Sequence, residues 1–349
     1  MKTRLLTFLL FAGHILSAQI TLIPDSIFEQ KLIDLNHDIF HDGWVITDSI
    51  NSIDSLDISN LNGQGSMYKI TNLTGIEDFG NLQYLNCSNN NFDTLNLNNS
   101  QYLKHIICAS DSIEVLMIDS LFSLNKIQCN SNNITNLNLL GNPGLTELWC
   151  WDNQLDNLNL SNNIYLGYLN CGENNINSLD VSMLDLYDLR CQNNSIVSIN
   201  LDNNYSLELL SCYNNNLQNI NLANNTNLII LNTGNVSSQP SIYTNDLNSL
   251  DLSNNCNITT LYSKENPNLE CIQVCDMSAA NNWNVLNIDA QHFFSTGCIY
   301  TAITEGSERN QKIISIKDIY GRESSTHTNS FLFYIYQNGK VEKRIILDN

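Results

Sequence analysis

A cysteine recurs at an almost constant interval in the middle of this 349-residue chain, and that interval limits the fold more than any other feature. The intervals are 21, 21, 21, 21, 20 and 21 residues, between Cys87, Cys108, Cys129, Cys150, Cys171, Cys191 and Cys212. An aliphatic residue precedes each cysteine by two positions, and an asparagine or, once, an aspartate follows it by three. A fixed period near 20 residues predicts a solenoid of stacked coils.

The alternation around each cysteine predicts one short strand per coil. In the first coil of the series Leu85 and Cys87 point inward, whereas Tyr84, Asn86 and Ser88 point outward. A single coil cannot bury its apolar edge alone, so neighbouring coils share a core and their strands form a parallel sheet. The asparagine lies where the chain turns away, and its amide can satisfy backbone groups of the turn.

The frame Leu-x-x-Leu-x-Cys-x-x-Asn, followed by a second Leu-x-Leu such as Leu95-x-Leu97, resembles the leucine-rich repeat family and its short bacterial repeats. The resemblance covers about residues 54–275. It implies a leucine-rich repeat solenoid with 21-residue repeats, that is, a curved parallel β-sheet of the α/β class with little helix.

The column of cysteines could also suggest metal binding or a chain of disulfides. Successive thiols would lie roughly 4.8 Å apart, but side chains in register run parallel, which is the wrong orientation for an S–S bond. Zinc needs four ligands that converge on one point. We therefore predict buried free thiols that act as small hydrophobic groups, and no metal site.

Residues 1–18 have the pattern of a secretory signal peptide. Lys2 and Arg4 precede a 12-residue apolar run, and Ser17 and Ala18 end the segment before Gln19. An apolar run of this length is too short to cross roughly 30 Å of hydrocarbon, so we expect no transmembrane segment. The pattern predicts an exported protein, secreted or displayed at the cell surface.

Residues 19–53 differ from the repeats. They contain a proline and an N-cap candidate ahead of a helical apolar pattern. This segment resembles the N-terminal cap of secreted leucine-rich repeat proteins of the Bacteroidetes, which implies that it covers the open end of the sheet. The acidic stretch from Asp34 to Asp42 hints at a calcium loop. Because Ile39 occupies the required glycine position, a solvated turn is the favoured interpretation.

The outward columns of the sheet are where a binding function could be encoded. Two of the four tryptophans of the chain face outward on one predicted strand, with tyrosines and a charged pair within a few strands. Exposed aromatic side chains beside an arginine are typical of binding hot spots. We therefore predict a concave patch that binds a protein or a glycan; the alternative is that the two tryptophans merely pack on each other. The candidate residues are Trp149, Trp151, Tyr168, Asp188, Arg190 and Tyr213.

The repeat period is interrupted once, after Thr233 takes the position of the cysteine. The next second-position pair begins at Leu250, nine residues later than expected, so roughly residues 236–246 must loop out. Insertions in solenoids can carry specificity or form neutral surface loops, and both interpretations stay open.

Residues 276–299 resemble the C-terminal cap of the same bacterial family. That resemblance implies a disulfide between Cys271 and Cys298. Cys256 and Cys275 depart from the two-cysteine pattern and leave the pairing open. An export signal is compatible with disulfides.

Residues 300–349 predict a small all-β tail domain, with a strand ending at Gly321 and a hairpin that turns at Asn338-Gly339. The tail resembles the C-terminal sorting domain of type IX secretion. The resemblance implies that the type IX machinery is a partner and reads the tail at the outer membrane; the alternative is a structural β cap. The sorting signal would comprise Gly321, Arg322, Glu323, Lys343 and Arg344.

Charge and motifs exclude several function classes. A net charge of −20 argues against nucleic acid as a partner, because phosphate binding needs a basic surface. No catalytic motif is present, so we predict neither an enzyme nor a cofactor. Two functions stay open: a secreted or cell-surface binding and adhesion protein that recognises a protein or polysaccharide, or a structural surface or matrix component without a specific ligand.

Overall fold

The computed structural model describes residues 19–60, 68–234, 244–280, 283, 288–298, 313–318, 330–336 and 341–346. The chain divides into one unit that ends at Ile299 and a second that begins at Tyr300. The predicted signal segment, most of the insertion (235–243), the hairpin turn at 338–339 and the sorting-signal residues 321–323 lie outside the described residues.

Short strands dominate the first unit. Its described helices are α1 (Ser26–Asp34), α2 (Thr47–Asn51) and α3 (Met277–Ala280), with a 3-10 turn at Ile76–Asp78. Its described strands are β1 (Ile20–Leu22), β2 (Trp44–Ile46), β3 (Ser55–Asp57), β4 (Tyr84–Asn86), β5 (Thr94–Asn96), β6 (His105–Ile107), β7 (Val115–Met117), β8 (Lys126–Gln128), β9 (Glu147–Trp149), β10 (Tyr168–Asn170), β11 (Asp188–Arg190), β12 (Leu209–Ser211), β13 (Ile230–Asn232), β14 (Leu250–Leu252), β15 (Thr260–Tyr262), β16 (Cys271–Val274) and β17 (Phe293–Ser295).

One parallel sheet of ten strands, which we call the main sheet, organises the first unit. Its order is β3-β4-β6-β8-β9-β10-β11-β12-β13-β15, so each strand pairs with the strand of the next coil. The coils stack in register: Leu148 lies opposite Leu169, and Leu169 lies opposite Leu189. This confirms the predicted solenoid, in which each coil repeats the same buried positions at the spacing of one strand.

The cysteine column lies inside the solenoid. All seven thiols are free and buried, as the sequence predicts. Burial raises the pKa of Cys129, Cys171 and Cys212 to about 12. The thiols are therefore protonated at neutral pH, and they pack as small groups in the core.

The asparagine that follows six of the seven cysteines hydrogen-bonds its coil to the preceding one. Asn153 donates from Nδ2 to the carbonyls of Cys129 (3.0 Å) and Cys150 (3.1 Å), and its Oδ1 accepts from the backbone amide of Ile134 (3.0 Å). The residue before it, Asp152, has a φ of 56°, which reverses the chain direction. Repetition of this pattern forms the predicted ladder, which we call the cysteine-side ladder.

A second asparagine ladder, which was not predicted from the sequence, follows the other edge of the coils. Asn163, for example, donates from Nδ2 to the carbonyls of Leu139 (3.3 Å) and Asn142 (2.9 Å). The sequence feature that marks this second ladder is an asparagine 13 residues after several of the cysteines. The members of this ladder are Asn142, Asn163, Asn204, Asn225 and Asn255.

Helix α1 lies against the first coils. Asp25 caps it through Oδ1, which accepts from the amides of Ile27 (2.9 Å) and Phe28 (3.0 Å). The ring of Phe28 then stacks on Phe79 with centroids 6.4 Å apart. This packing places an amphipathic helix beside the first coils, where the apolar pattern of residues 19–53 predicted a cap.

The acidic stretch that follows α1 is hydrogen-bonded to a buried side chain. Glu29 is buried and accepts from the amides of Asp42 (2.8 Å) and Gly43 (2.5 Å), while its other oxygen lies 3.0 Å from His41 Nε2. In the described part of the chain no group of three or more histidine, cysteine or acidic side chains could hold a metal ion. These bonds give the stretch a structural role in joining α1 to β2.

The C-terminal coils differ from the regular ones. Strand β13 pairs directly with β15, so the extra residues between them leave the register of the main sheet intact. Strands β14, β16 and β17 form a separate parallel sheet. Disulfides join Cys271 to Cys298 and Cys256 to Cys275, with Cα atoms 5.8 Å and 5.6 Å apart.

The second unit contains β18 (Ile313–Asp318), β19 (Ser330–Tyr336) and β20 (Val341–Ile346). These strands form an antiparallel sheet in the order β18-β19-β20. Two predicted sorting-signal residues, Lys343 and Arg344, lie in β20. Across the described residues of both units, no helix is long and apolar enough to cross a membrane.

Candidate functional site

Two side chains of each strand in the main sheet point away from the core, and we call the surface that they form the outer face. The burial pattern shows this, because the middle residue of each strand is buried while its neighbours are more exposed. The in-register pairing places Trp149, Asn170 and Arg190 in one row. It places Tyr168 and Asp188 in the neighbouring row, which also contains Glu147.

Four of the six predicted site residues line one shallow depression on the outer face: Trp149, Tyr168, Asp188 and Arg190. We call these four residues the aromatic patch. The depression has a volume of about 30 Å³. Trp149 is 38% exposed and Tyr168 is 45% exposed, so both rings present apolar surface to solvent.

The charged members of the aromatic patch bind each other. Arg190 Nε donates to Asp188 Oδ1 at 2.9 Å, and Arg190 Nη2 donates to Asp188 Oδ2 at 2.9 Å. These hydrogen bonds to Asp188 raise the pKa of the Arg190 guanidinium. Both residues lie on β11, so their bidentate hydrogen bonds form within one strand and need no ligand.

Tyr187, which was not predicted from the sequence, extends the aromatic surface. It immediately precedes β11, is 48% exposed, and its ring centroid lies 5.8 Å from that of Tyr168. The ring covers Gly167 of the preceding coil, where an added Cβ would lie 2.9 Å from Tyr187 Cδ2. The sequence feature that marks this contact is therefore a glycine in one coil and a tyrosine that covers it in the next coil.

The other two predicted residues, Trp151 and Tyr213, do not line the depression. Both follow a cysteine at the end of a strand and are only partly exposed. Burial raises the pKa of Tyr213, as does the nearby carboxylate of Glu173, while a hydrogen bond with the Asn193 side chain lowers it. In the described part of the chain no ring contact joins Trp151 to Trp149.

The outer face carries no net charge from β4 to β15. Its charged residues in these strands form two pairs: Lys126 with Glu147 (2.7 Å), and Arg190 with Asp188 (2.9 Å). The chain as a whole has a formal charge of −20, so the negative charge lies elsewhere. Strand β3 adds one carboxylate, Asp57, which accepts from Asn86 Nδ2 at 3.2 Å.

No protein-family model and no curated protein sequence matches the chain. Solved structures do match it. The functional domain of InlJ from Listeria monocytogenes, which includes a cysteine ladder, matches with a TM-score of 0.56 and 25% identity over 79% of this chain and 61% of that chain. Internalin C2 from the same organism matches with a TM-score of 0.53 and 24% identity, over 60% of this chain and 96% of that chain.

A leucine-rich repeat protein from Leptospira interrogans matches with a TM-score of 0.53 and 19% identity, over 71% of this chain and 62% of that chain. The chain thus spans less than two thirds of the InlJ domain and of the Leptospira protein. These similarities and the 21-residue coils show that the first unit has the leucine-rich repeat fold. Its column of seven buried thiols is similar to the cysteine ladder of the InlJ domain.

Proposed function

We propose that this chain is a binding and adhesion protein that acts outside the cytoplasm and recognises a protein or a polysaccharide through the outer face of its main sheet. The observation that carries the proposal is the aromatic patch. Two large rings, Trp149 and Tyr168, are exposed side by side next to a fixed Asp188–Arg190 pair. Exposed apolar surface of this kind, with polar groups beside it, is typical of a binding site.

The same geometry favours contact over catalysis. Catalytic groups act in a site that excludes water and keeps them free to react. Here Asp188 and Arg190 are bonded to each other on an open sheet surface. We therefore propose a protein without enzymatic activity.

Three features taken together support an extracellular location. Residues 1–18 resemble a signal peptide, and residues 300–349 resemble a tail that the type IX secretion machinery reads. The disulfides Cys256–Cys275 and Cys271–Cys298 belong to the chemistry of an oxidising compartment. Under this proposal the solenoid reaches the cell surface or the medium.

Binding assays with site variants test the proposal. The chain without residues 1–18 would be applied to arrays of polysaccharides and of surface proteins, beside a Trp149→Ala, Tyr168→Ala double variant. Phe122→Ala is the matched control, because Phe122 is 71% exposed but lies between β7 and β8 and not on the outer face. We expect the double variant to lose binding and the control to retain it. If no variant and no parent chain binds any ligand, the structural-component alternative takes its place.

A further inference from the structure

The charge of the outer face limits the ligands that it can attract. An anionic ligand would be repelled by a chain of formal charge −20, and Asp188 already balances the charge of Arg190. A cationic ligand would find Glu147 paired with Lys126 and Asp188 paired with Arg190. A charged ligand would therefore meet pairs whose charges already cancel, whereas an uncharged ligand needs no net charge on the surface.

The shape of the aromatic patch limits the ligand further. Protein partners bind most strongly where an anchoring side chain fills a pocket. The depression between Trp149, Tyr168, Asp188 and Arg190 has a volume of about 30 Å³. Roughly 10–15 Å³ measured in this way holds one water molecule, so the depression is small. It has room for a hydroxyl group and forms no deep pocket for a large anchoring side chain.

The side chains of the patch match the two surfaces of a sugar ring. A pyranose has an apolar face of C–H groups, which packs on an aromatic ring such as Trp149 or Tyr168. Its rim of hydroxyls both donates and accepts hydrogen bonds. The Asp188–Arg190 pair offers carboxylate acceptors and guanidinium donors side by side, and the amide of Asn170 between the strands offers both.

The rows of the outer face extend this chemistry beyond one sugar. The row that contains Trp149 and Arg190 also contains the half-buried amides of Gln128 and Asn170, at the spacing of one strand, about 4.8 Å. A polymer that carries hydroxyls along its length can follow such a row. Ser211 and Asn232, further along the row, are buried, so the accessible part of the row extends from Gln128 to Arg190.

From these observations we infer that the outer face binds an uncharged polysaccharide, with a sugar ring packed on Trp149 and Tyr168 and hydroxyls held by the Asp188–Arg190 pair. This inference rests on the proposed binding function and narrows its ligand class. The recognition uses apolar stacking and neutral hydrogen bonds, and its affinity is therefore nearly independent of salt.

Three classes of probe distinguish the outcomes. Dextran, mannan and galactan represent uncharged polysaccharides, dextran sulfate and polygalacturonate represent charged ones, and a panel of purified extracellular-matrix proteins represents protein partners. Binding is measured by calorimetry at about 50 mM and 500 mM salt. We expect an uncharged polysaccharide to bind at both salt concentrations, Trp149→Ala to weaken it about tenfold, and Phe122→Ala to leave it unchanged. Circular dichroism melting curves verify that each variant is folded.

The other outcomes separate the inference from the proposed function. Patch-dependent binding of a protein, or of a sulfated or carboxylated polymer with strong salt dependence, overturns the uncharged-polysaccharide inference but keeps the binding function. Uncharged-polysaccharide binding that Trp149→Ala leaves intact overturns the assignment to the aromatic patch. Absence of binding in all three classes overturns both the inference and the proposed function.

Discussion

The inner and outer sides of the same strands differ in how freely their residues vary. On the inner side Leu148 and Cys150 belong to columns that repeat through the coils, because each shared core position accepts only a narrow range of volumes. On the outer side Trp149 has Gln128 and Asn170 as its neighbours in the row. The difference shows that packing constrains the residues of one side of the sheet and leaves those of the other side free to vary, as the proposed recognition requires.

The largest effect is expected where the inner side is held by hydrogen bonds. Asn174 donates from Nδ2 to the carbonyls of Cys150 (3.0 Å) and Cys171 (3.1 Å), and its Oδ1 accepts from the amide of Leu155 (3.0 Å). Asn174→Ala leaves these buried groups without partners and should lower the free energy of unfolding by roughly 3 kcal/mol. Urea denaturation measures the change.

The neighbouring Asn175→Ala is the matched control, because Asn175 is exposed. We expect that control to change the free energy of unfolding by less than about 0.5 kcal/mol. Equal losses in both variants would contradict the role of the cysteine-side ladder.

The periodicity of the sequence was sufficient to predict the sheet, the buried thiols and the cysteine-side ladder. Each of these follows from one coil repeated, so a single frame describes all copies. The position of Tyr187 was not predicted, because it depends on the missing Cβ of Gly167 in another coil. The second asparagine ladder was missed because Leu121 and Leu184 interrupt its column.

The site was predicted less completely than the fold. The alternation of each strand correctly placed Trp149, Tyr168, Asp188 and Arg190 on the outer side. The alternation does not extend past the end of the strand, where the turn begins. Trp151 lies beyond that end, and for this reason it was predicted to join the patch although it does not line the depression. The pairing of Arg190 with Asp188 depends on side-chain conformations, which a sequence pattern does not specify.

One rung of the cysteine-side ladder is an aspartate, and it should show a pH dependence that the asparagine rungs lack. Asp111 is fully buried; its Oδ1 accepts from the amide of Asn90 (2.5 Å), and its Oδ2 has no partner. Burial raises the pKa of Asp111 to about 7, although the Asn90 hydrogen bond and the charge of Lys69 oppose the shift. An ionised carboxylate cannot donate to a carbonyl as the Nδ2 of an asparagine rung does.

Because the folded-state pKa is raised, the protonated form is the one that folding favours. The stabilisation from Asp111 is complete below its unfolded pKa of about 4 and is lost as the pH rises through about 7. Asp111→Asn should therefore be more stable than the parent by about 2 kcal/mol at pH 8, and nearly equal to it at pH 4. The exposed Asp93→Asn is the control; the prediction is wrong if the gain is the same at both pH values.

A smaller effect is expected in the cysteine column. Cys171 lies in the middle of the column and is completely buried. Cys171→Ser therefore buries a hydroxyl group that loses its hydrogen bonds to water and gains no partner in the core. Thr233 and Ser263 occupy the equivalent positions of later coils, and there their hydroxyls lie 3.4 Å apart and satisfy each other. We expect a loss of about 1.5 kcal/mol for Cys171→Ser in thermal unfolding. A loss below 0.5 kcal/mol would indicate that the column tolerates polar groups without partners.

The smallest effect on stability is expected on the outer side, where the predicted effect on binding is large. The Arg190–Asp188 pair is partly exposed, and ion pairs of this kind contribute roughly 0.2–1 kcal/mol. Arg190→Ala should therefore lower the free energy of unfolding by less than about 0.5 kcal/mol while it weakens polysaccharide binding about tenfold. Urea denaturation and calorimetry on the same preparation measure both quantities. A variant that loses stability and binding together would show that Arg190 supports the sheet, and the separation between an inner side that folds the chain and an outer side that recognises a ligand would not hold at this strand.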